Sequence, residues 1–297
     1  MPRMLLGFVP EKQALIRKLS LRLQKNRGYG MDRVPLSVAI ITKNEAENIQ
    51  GCLQSVTFAA QIVVVDSGSD DATLTLAEAF GCDIYRESWY GFGPQKQLAI
   101  DKCVQPWVLV LDADERIPPE TADVIRKIVT DEHIQAAGFS FPRKNFFQGR
   151  WIRHAGWWPD PVVRLFRRKS GRMTTATVHE AVEVQGQVDQ LDVPIEHFTE
   201  SSLSKILQKI DKYSTLGAQE SFAAGKRSSP FSAFFRSCFT FIQDYILRLG
   251  FMDGRQGLTL AVTDSVNKYF KYAKLSELGR IQNGETKQRL SARKNTS

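Results

Sequence analysis

Cysteine is scarce in this chain: Cys52, Cys82, Cys103 and Cys238 are the four in 297 residues, and none stands in Cys-x-x-Cys spacing. That scatter argues against a zinc-finger framework or a disulfide scaffold and suits a reducing compartment. Uncharged apolar runs are short, and none reaches the roughly 20 residues needed to cross a bilayer. The N-terminus has no continuous apolar stretch before a small-residue cleavage site, so a secretory signal is not expected. An early glycine-rich phosphate loop is also missing, because Thr42-Lys43-Asn44-Glu45 contains no glycine, which disfavours a nucleotidyltransferase. No helix-turn-helix, zinc-finger or stacking-sheet signature is present, so no nucleic-acid partner is expected.

Positive charge is plentiful by contrast. The formal net charge is +8 and the pI is near 9.3, which favours an anionic partner, be it nucleic acid, phospholipid or a phosphorylated substrate, without choosing among them. The cations crowd the two ends, with Lys12, Arg17, Lys18, Arg22, Lys25 and Arg27 in front and Lys268, Lys271 and Lys274 behind.

The chemistry concentrates where apolar runs end. Trp107 to Leu111 leads into Asp112-Ala113-Asp114, Gln61 to Val65 leads into Asp66-Ser67-Gly68-Ser69, and Leu36 to Ile41 leads into Thr42-Lys43-Asn44-Glu45. Open α/β sheets bind ligands at the carboxyl ends of their strands. Strand side chains alternate faces, so carboxylates at 112 and 114 are expected to point the same way and share one hard cation.

From about residue 35 to 142 strand and helix patterns alternate, which predicts a mostly parallel sheet covered by helices. Asn44 is expected to cap a helix with apolar positions Ile49, Cys52, Leu53 and Val56, and Asp70 or Asp71 one carrying Leu74, Ala77 and Phe80. Pro118-Pro119 fits the first turn of a helix carrying Ala122, Ile125 and Val129. Residues 143–160 are rich in aromatics, cations and glycines without a period, and read as an ordered functional loop.

Beyond residue 200 the pattern is helical. One apolar stripe comprises Leu203, Ile206, Leu207 and Ile210, and a longer one runs from Phe231 through Phe234, Phe235 and Phe239 to Leu249. The longer stripe suits either a membrane surface or packing on the catalytic domain. The expected organisation is a basic extension (1–34), a catalytic domain (35–200), an amphipathic helical region (201–280) and a disordered polar tail (281–297).

The ordered segments Ile40 to Glu45, Val64 to Ser69, Gly91 to Lys96 and Leu111 to Glu115 together resemble the family 2 glycosyltransferases. The later segments Pro142 to Asn145, Gly156 to Asp160, Arg164 to Arg167, Val178 to Glu180, Phe251 to Arg255 and Lys271 to Leu275 are similar to the lipopolysaccharide core biosynthesis branch, which includes inner-core β-glucosyltransferases.

The resemblance implies a GT-A (Rossmann-like) α/β fold with a C-terminal helical appendage. It also implies an inverting hexosyltransferase with a nucleotide-sugar donor, UDP-glucose being favoured, and Mg²⁺ or Mn²⁺. A lipopolysaccharide-core or other glycolipid acceptor at the cytoplasmic face of a bacterial inner membrane would follow, with a metal-dependent nucleotidyltransferase acting on sugar phosphates as the alternative. It assigns Thr42, Asn44, Glu45, Asp66, Ser67, Lys96 and Asp112 to the donor, and Asp112, Asp114 and His179 to the metal, with His197 a second histidine candidate.

An inverting transfer needs one general base. Asp160, flanked by Pro159 and Pro161, occupies that place by resemblance, with Glu180 the competing residue. Arg153, His154, Trp157 and Trp158 read as an acceptor wall, because aromatic faces pack on sugar rings and guanidinium groups grip anions. A hydrogen-bonded structural histidine explains His179 as well as a metal ligand does and is the favoured reading of His197, and an ordinary buried aromatic cluster is the alternative for the tryptophans.

Overall fold

The computed structural model describes residues 33–174, 180–199 and 202–294, with side chains to residue 282. The chain forms two compact units, one built from residues up to Arg143 together with Asp160–His197, the other from Lys144–Pro159 together with the chain from Phe198 onward.

The first unit is α/β. In chain order it contains β1 (Val34–Thr42), α1 (Ile49–Ser55), β2 (Ala59–Asp66), α2 (Thr73–Ala79), β3 (Asp83–Arg86), α3 (Phe92–Asp101), β4 (Trp107–Asp112), β5 (Glu115–Arg116) and α4 (Pro119–Thr130). There follow β6 (Gly138–Phe147, whose last residues belong to the second unit), β7 (Arg150–Trp151, in the second unit), β8 (Pro161–Arg167), β9 (Gly171–Met173), β10 (Val182–Val184), β11 (Val188–Gln190) and β12 (Ile195–Phe198).

The sheet order is β3-β2-β1-β4-β8-β6-β12-β5. Its first four strands are parallel, whereas β8 runs antiparallel to both β4 and β6, so the sheet is mixed. β1 lies between β2 and β4 and is buried on both faces, which explains its near-continuous apolar sequence. The core on one face gathers Leu36, Val38, Ile40, Leu53, Leu109, Leu111 and Ile125. Truncating a fully buried side chain such as Leu109 to alanine would cost about 2–5 kcal/mol.

Several local expectations change in three dimensions. Asn44 does not cap α1, whose N-terminal flanking residue is Asn48; Asn44 instead adopts φ +55° and accepts a hydrogen bond from the Asp70 amide. Asp71 accepts from the Thr73 amide at the entrance to α2. The segment expected as a loop from residue 143 continues β6 as far as Phe147, because β7 pairs with it across Phe146 and Trp151. Pro119 opens α4 as its composition predicts.

The second unit is mainly helical, with α5 (Leu203–Ala223), α6 (Pro230–Phe241), a π-turn (Ile242–Leu247), a 3₁₀ turn (Gly250–Asp253) and α7 (Gly254–Lys294). Ser202 and Ser229 cap α5 and α6 by accepting from the amides of Lys205 and Ser232. Lys274 of α7 donates to the Asp211 carboxylate at 2.6 Å and to Ser214 and Thr215 on α5. α7 runs on through residues 281–294, the stretch read from composition as a polar tail. At Gly257 a Cβ would overlap the Gly250 carbonyl oxygen, so the packing of α7 on the 3₁₀ turn requires glycine there.

Candidate active site

Strand register brings the carboxyl ends of three strands level. Thr42 on β1 sits beside Asp66 on β2, and Ile41 sits beside Asp112 on β4. The loops that follow β1 and β2 are laced together: the Asn44 amide donates to Ser69 Oγ at 2.9 Å, the Glu45 amide to Thr73 Oγ1 at 2.8 Å and the Ala46 amide to Asp71 Oδ2 at 3.1 Å. Asp66 is buried and accepts from the amides of Gly68 (2.9 Å) and Ser69 (3.0 Å) and from the Ser69 hydroxyl. Its carboxylate therefore shapes the loop that Ser67 occupies. Asp66, Ser67, Gly68, Ser69 and Leu74 line a cavity of about 390 Å³ with Arg86, Glu87 and Ser88. Ser67 Oγ, at this cavity, and Thr42 Oγ1, on the strand beside Asp66, are buried without a hydrogen-bond partner, which leaves both hydroxyls open to a ligand.

Asp112 is the hub of a charged cluster. Lys96, on α3, places Nζ 2.7 Å from Asp112 Oδ1 although its side chain is only 7% exposed. Arg164, on β8, donates to Asp112 Oδ2 at 2.8 Å and to Glu115 Oε1 at 2.6 Å. Burial alone would raise the Asp112 carboxyl, but Lys96 and Arg164 outweigh it and hold it well below the usual carboxylate range. Burial would likewise lower Arg164, and the facing Glu115 and Asp112 reverse this, raising it.

Both candidate bases connect to this hub. Glu180 Oε1 lies 3.8 Å from Lys96 Nζ. Arg143 donates from Nε (2.9 Å) and Nη2 (2.7 Å) to Asp160 Oδ2, and its Nη1 reaches Glu115 at 3.5 Å. Asp160 itself has φ +42°, a backbone conformation uncommon outside glycine, so its carboxylate is held in place by its backbone and by Arg143 together.

The shared cation expected between Asp112 and Asp114 depends on strand alternation, and β4 ends at Asp112. Asp114 lies in the turn beyond it, and its Oδ2 is 3.4 Å from His197 Nε2 on β12. Each Asp112 oxygen already faces a cation, whereas Asp114 and His197 bring a carboxylate oxygen and an imidazole nitrogen together. Mg²⁺ commonly takes one or two protein carboxylates and completes its shell with water and substrate phosphate. The Asp114 carboxylate suits such an ion, whereas the His197 imidazole suits a transition ion such as Mn²⁺ better than Mg²⁺, and no group of three acidic, histidine or cysteine side chains converges among the described residues. His179 lies outside the described residues.

A profile of Glycosyl transferase family 2 matches residues 37–184, which span all four parallel strand ends. The chain is 30% identical to the lipopolysaccharide core biosynthesis glycosyltransferase LpsC of Rhizobium meliloti (strain 1021), over 82% of this chain and 92% of that protein. It belongs to glycosyl transferase family 2. It is also 27% identical to the uncharacterized glycosyltransferase RP128 of Rickettsia prowazekii (strain Madrid E), over 82% of this chain and 87% of that one. A crystal structure of S. aureus TarS residues 1–349 in complex with UDP-GlcNAc is similar at 14% identity and a TM-score of 0.40, covering 83% of this chain and 92% of that one. The α/β sheet with parallel β3-β2-β1-β4 agrees with the GT-A fold expected of this glycosyltransferase.

The transferase carries its aromatic and cationic residues expected for the acceptor in the second unit. Trp151 and Trp158 meet edge to face at 5.3 Å between centroids, and Trp157 packs on Phe147. His154 Nδ1 lies 3.2 Å from Asp253 Oδ1, and the Arg153 guanidinium lies over the Trp151 ring at 4.2 Å. Trp157 thus belongs to the apolar packing of this unit around Phe147, Ile152 and Leu260.

Sequence reasoning gave Arg143, Glu115 and Arg164 no role, yet they join Asp160 to Asp112. The available signal was a buried arginine inside the apolar β8 run Val162 to Phe166, together with the acid that follows Asp114.

Proposed function

We propose that this family 2 enzyme transfers a hexose, with inversion, from a nucleotide sugar to a lipopolysaccharide-core-type glycolipid. The observation that carries the reading is the Asp112 hub at the strand ends, where two buried cations, Lys96 and Arg164, meet one carboxylate. The leaving group of such a reaction is a nucleoside diphosphate, whose charge grows as the glycosidic bond breaks. Lys96 and Arg164 are already desolvated and oriented, so they can turn part of their attraction to that diphosphate with little reorganisation. Thr42, Asn44, Glu45, Asp66 and Ser67 would line the nucleoside; the cavity walled by Asp66 and Ser67 and the unpartnered hydroxyls of Thr42 and Ser67 support this.

Asp114 and His197, with His179 a further candidate, would hold Mg²⁺ or Mn²⁺. A bound divalent ion supplies charge neutralisation at the departing diphosphate. Asp160, oriented by Arg143, would take the proton of the attacking hydroxyl, and Glu180, beside Lys96, is the alternative base. Arg153, His154, Trp157 and Trp158 would form the acceptor surface of the second unit. The favoured donor is UDP-glucose. The kinship with a lipopolysaccharide core enzyme supports the acceptor class, and the family assignment counts against the nucleotidyltransferase alternative.

Work at the cytoplasmic surface of an inner membrane is part of this reading. Among the described residues no helix is long and apolar enough to cross a membrane. Instead Phe231, Phe234, Phe235 and Phe239 on α6 are exposed, with Phe231 at 78%. An amphipathic aromatic helix of this kind can lie in a lipid interface.

The test is a thermal-shift screen of nucleotide sugars with Mg²⁺, Mn²⁺ or chelator. A ligand of the native state raises the melting temperature by mass action, and the reading expects UDP-glucose to do so only with metal present. Stabilisation by no nucleotide sugar under any of these conditions would overturn it.

A further inference from the structure

The second unit contains a cavity of about 410 Å³ walled by Arg150, Trp151, Arg153, His154, Met252 and Asp253. Its charge is arranged for an anion. Asp253 is its acid, and that carboxylate is consumed locally: Oδ2 accepts from the amides of Arg153 (3.2 Å) and His154 (2.9 Å), and Oδ1 faces His154 Nδ1. Arg150 reaches only a carbonyl, that of Met252, at 3.2 Å. Arg153 and Lys144 stack on the Trp151 ring, at 4.2 and 5.0 Å from its centroid. None of these three cations faces a carboxylate within the described residues. Trp151 Nε1 is buried and has no acceptor, so a wall of the cavity carries an unused donor as well.

The rim of the cavity is apolar. Met252 lines it and is 53% exposed, and its neighbours Leu249 and Phe251 are exposed too. These residues continue the exposed apolar run that passes through Ile246 and Leu247. A cationic cavity opening beside exposed apolar side chains matches an amphiphile with an anionic head.

We propose that this cavity seats the phosphate of an anionic membrane lipid while Leu249, Phe251 and Met252 enter the apolar layer beside it. The inference rests on the membrane-surface reading above and specifies its chemistry. Arg150 and Arg153 line the cavity and supply the charge there, Arg153 serving here as well as on the acceptor surface proposed above, with Lys144 over the Trp151 ring adding to it; guanidinium groups suit phosphate because they offer paired donors. Asp253 is a positioning residue that fixes the 153–154 backbone.

The experiment is co-sedimentation of the full chain with phosphatidylglycerol vesicles and, in parallel, with phosphatidylcholine vesicles. The full chain is expected to bind the anionic vesicles at least ten-fold more tightly. Arg150→Gln combined with Lys144→Gln should remove most of that preference, with circular dichroism confirming the fold. Phe251→Ser, which leaves the cations in place, should weaken binding to anionic vesicles at least five-fold.

Equal binding to both vesicle types, or an unchanged preference in the double variant, overturns the proposal. So does a cavity that takes up inorganic phosphate while vesicles are ignored. Donor-dependent stabilisation of the wild-type chain is measured alongside. Its absence would count against the transferase reading and would leave the lipid result to be judged by itself.

Discussion

Lys96 Nζ stands 2.7 Å from Asp112 Oδ1. The two residues come from α3 and β4, and their pairing makes a strand-end acid into the anchor of a cationic site. A carboxylate held this way does not behave as an open ligand. In the reading proposed above, it would keep Lys96 and, through Oδ2, Arg164 desolvated and aimed at one place until a more highly charged group arrives.

Removing the other acid beneath Arg164 tests the cluster as a structural unit. Glu115 is fully buried and 2.6 Å from Arg164, which keeps Asp112 as its second carboxylate, so neutralising Glu115 weakens the cluster without orphaning the cation. Glu115→Gln should therefore cost about 1–3 kcal/mol in urea denaturation, with an unchanged m-value.

The choice of base separates by kinetics. Asp160→Asn should lower kcat by roughly a hundred-fold or more while leaving nucleotide-sugar affinity near the wild-type value. Glu180→Gln should instead act on donor affinity, through Lys96. If Asp160→Asn turns over normally and Glu180→Gln does not, the two assignments exchange.

Metal binding has a readout that does not require turnover. Asp114 and His197 lie 3.4 Å apart, so Asp114→Ala and His197→Ala should each weaken Mn²⁺ affinity at least ten-fold, as followed by the electron paramagnetic resonance signal of the free ion. Asp112→Asn should change it less, because both Asp112 oxygens are paired with cations.

A pH effect is expected in the helical unit. Burial, and after it the neighbouring Asp244, push Asp264 up to about 6 against the pull of Lys268. The folded state thus favours the protonated acid more than the unfolded state does, whose carboxyl titrates near 3.8. The stability from this group is fully present below about pH 4 and is lost as pH rises through about 6. Asp264→Asn should accordingly raise the melting temperature relative to wild type at pH 7.5, with the advantage disappearing by about pH 4.

Gly257 offers a packing test. Alanine there would collide with the Gly250 carbonyl, and relief of such overpacking costs about 1–3 kcal/mol. Gly257→Ala should lower the melting temperature and, by shifting the turn that carries Met252 and Asp253, weaken anionic-vesicle binding as well.

Much of the first unit was legible in the sequence, because the features that define it are local. An apolar run is buried on both faces wherever it forms an inner parallel strand, so β1, β2 and β4 and the polar groups at their ends could be read directly. Thr42, Asp66 and Asp112 then fall at one edge, since parallel strands end on the same side. The apolar spacing of Ile49, Cys52 and Leu53 similarly marked the buried face of α1.

What tertiary structure decided was the partner of each charge. Lys96, Arg164 and Asp112 are distant in sequence, and no local period encodes which strand or helix will lie beside β4. β4 ends at Asp112, and Asp114 lies in the turn beyond it beside His197, a juxtaposition that a two-residue alternation cannot foresee. The Phe231 to Phe239 stripe identified an apolar face from its helical spacing, but amphipathic periodicity is the same whether that face meets protein or lipid. Only the folded arrangement showed those rings exposed, because burial depends on which elements assemble around a helix and not on the order of residues within it.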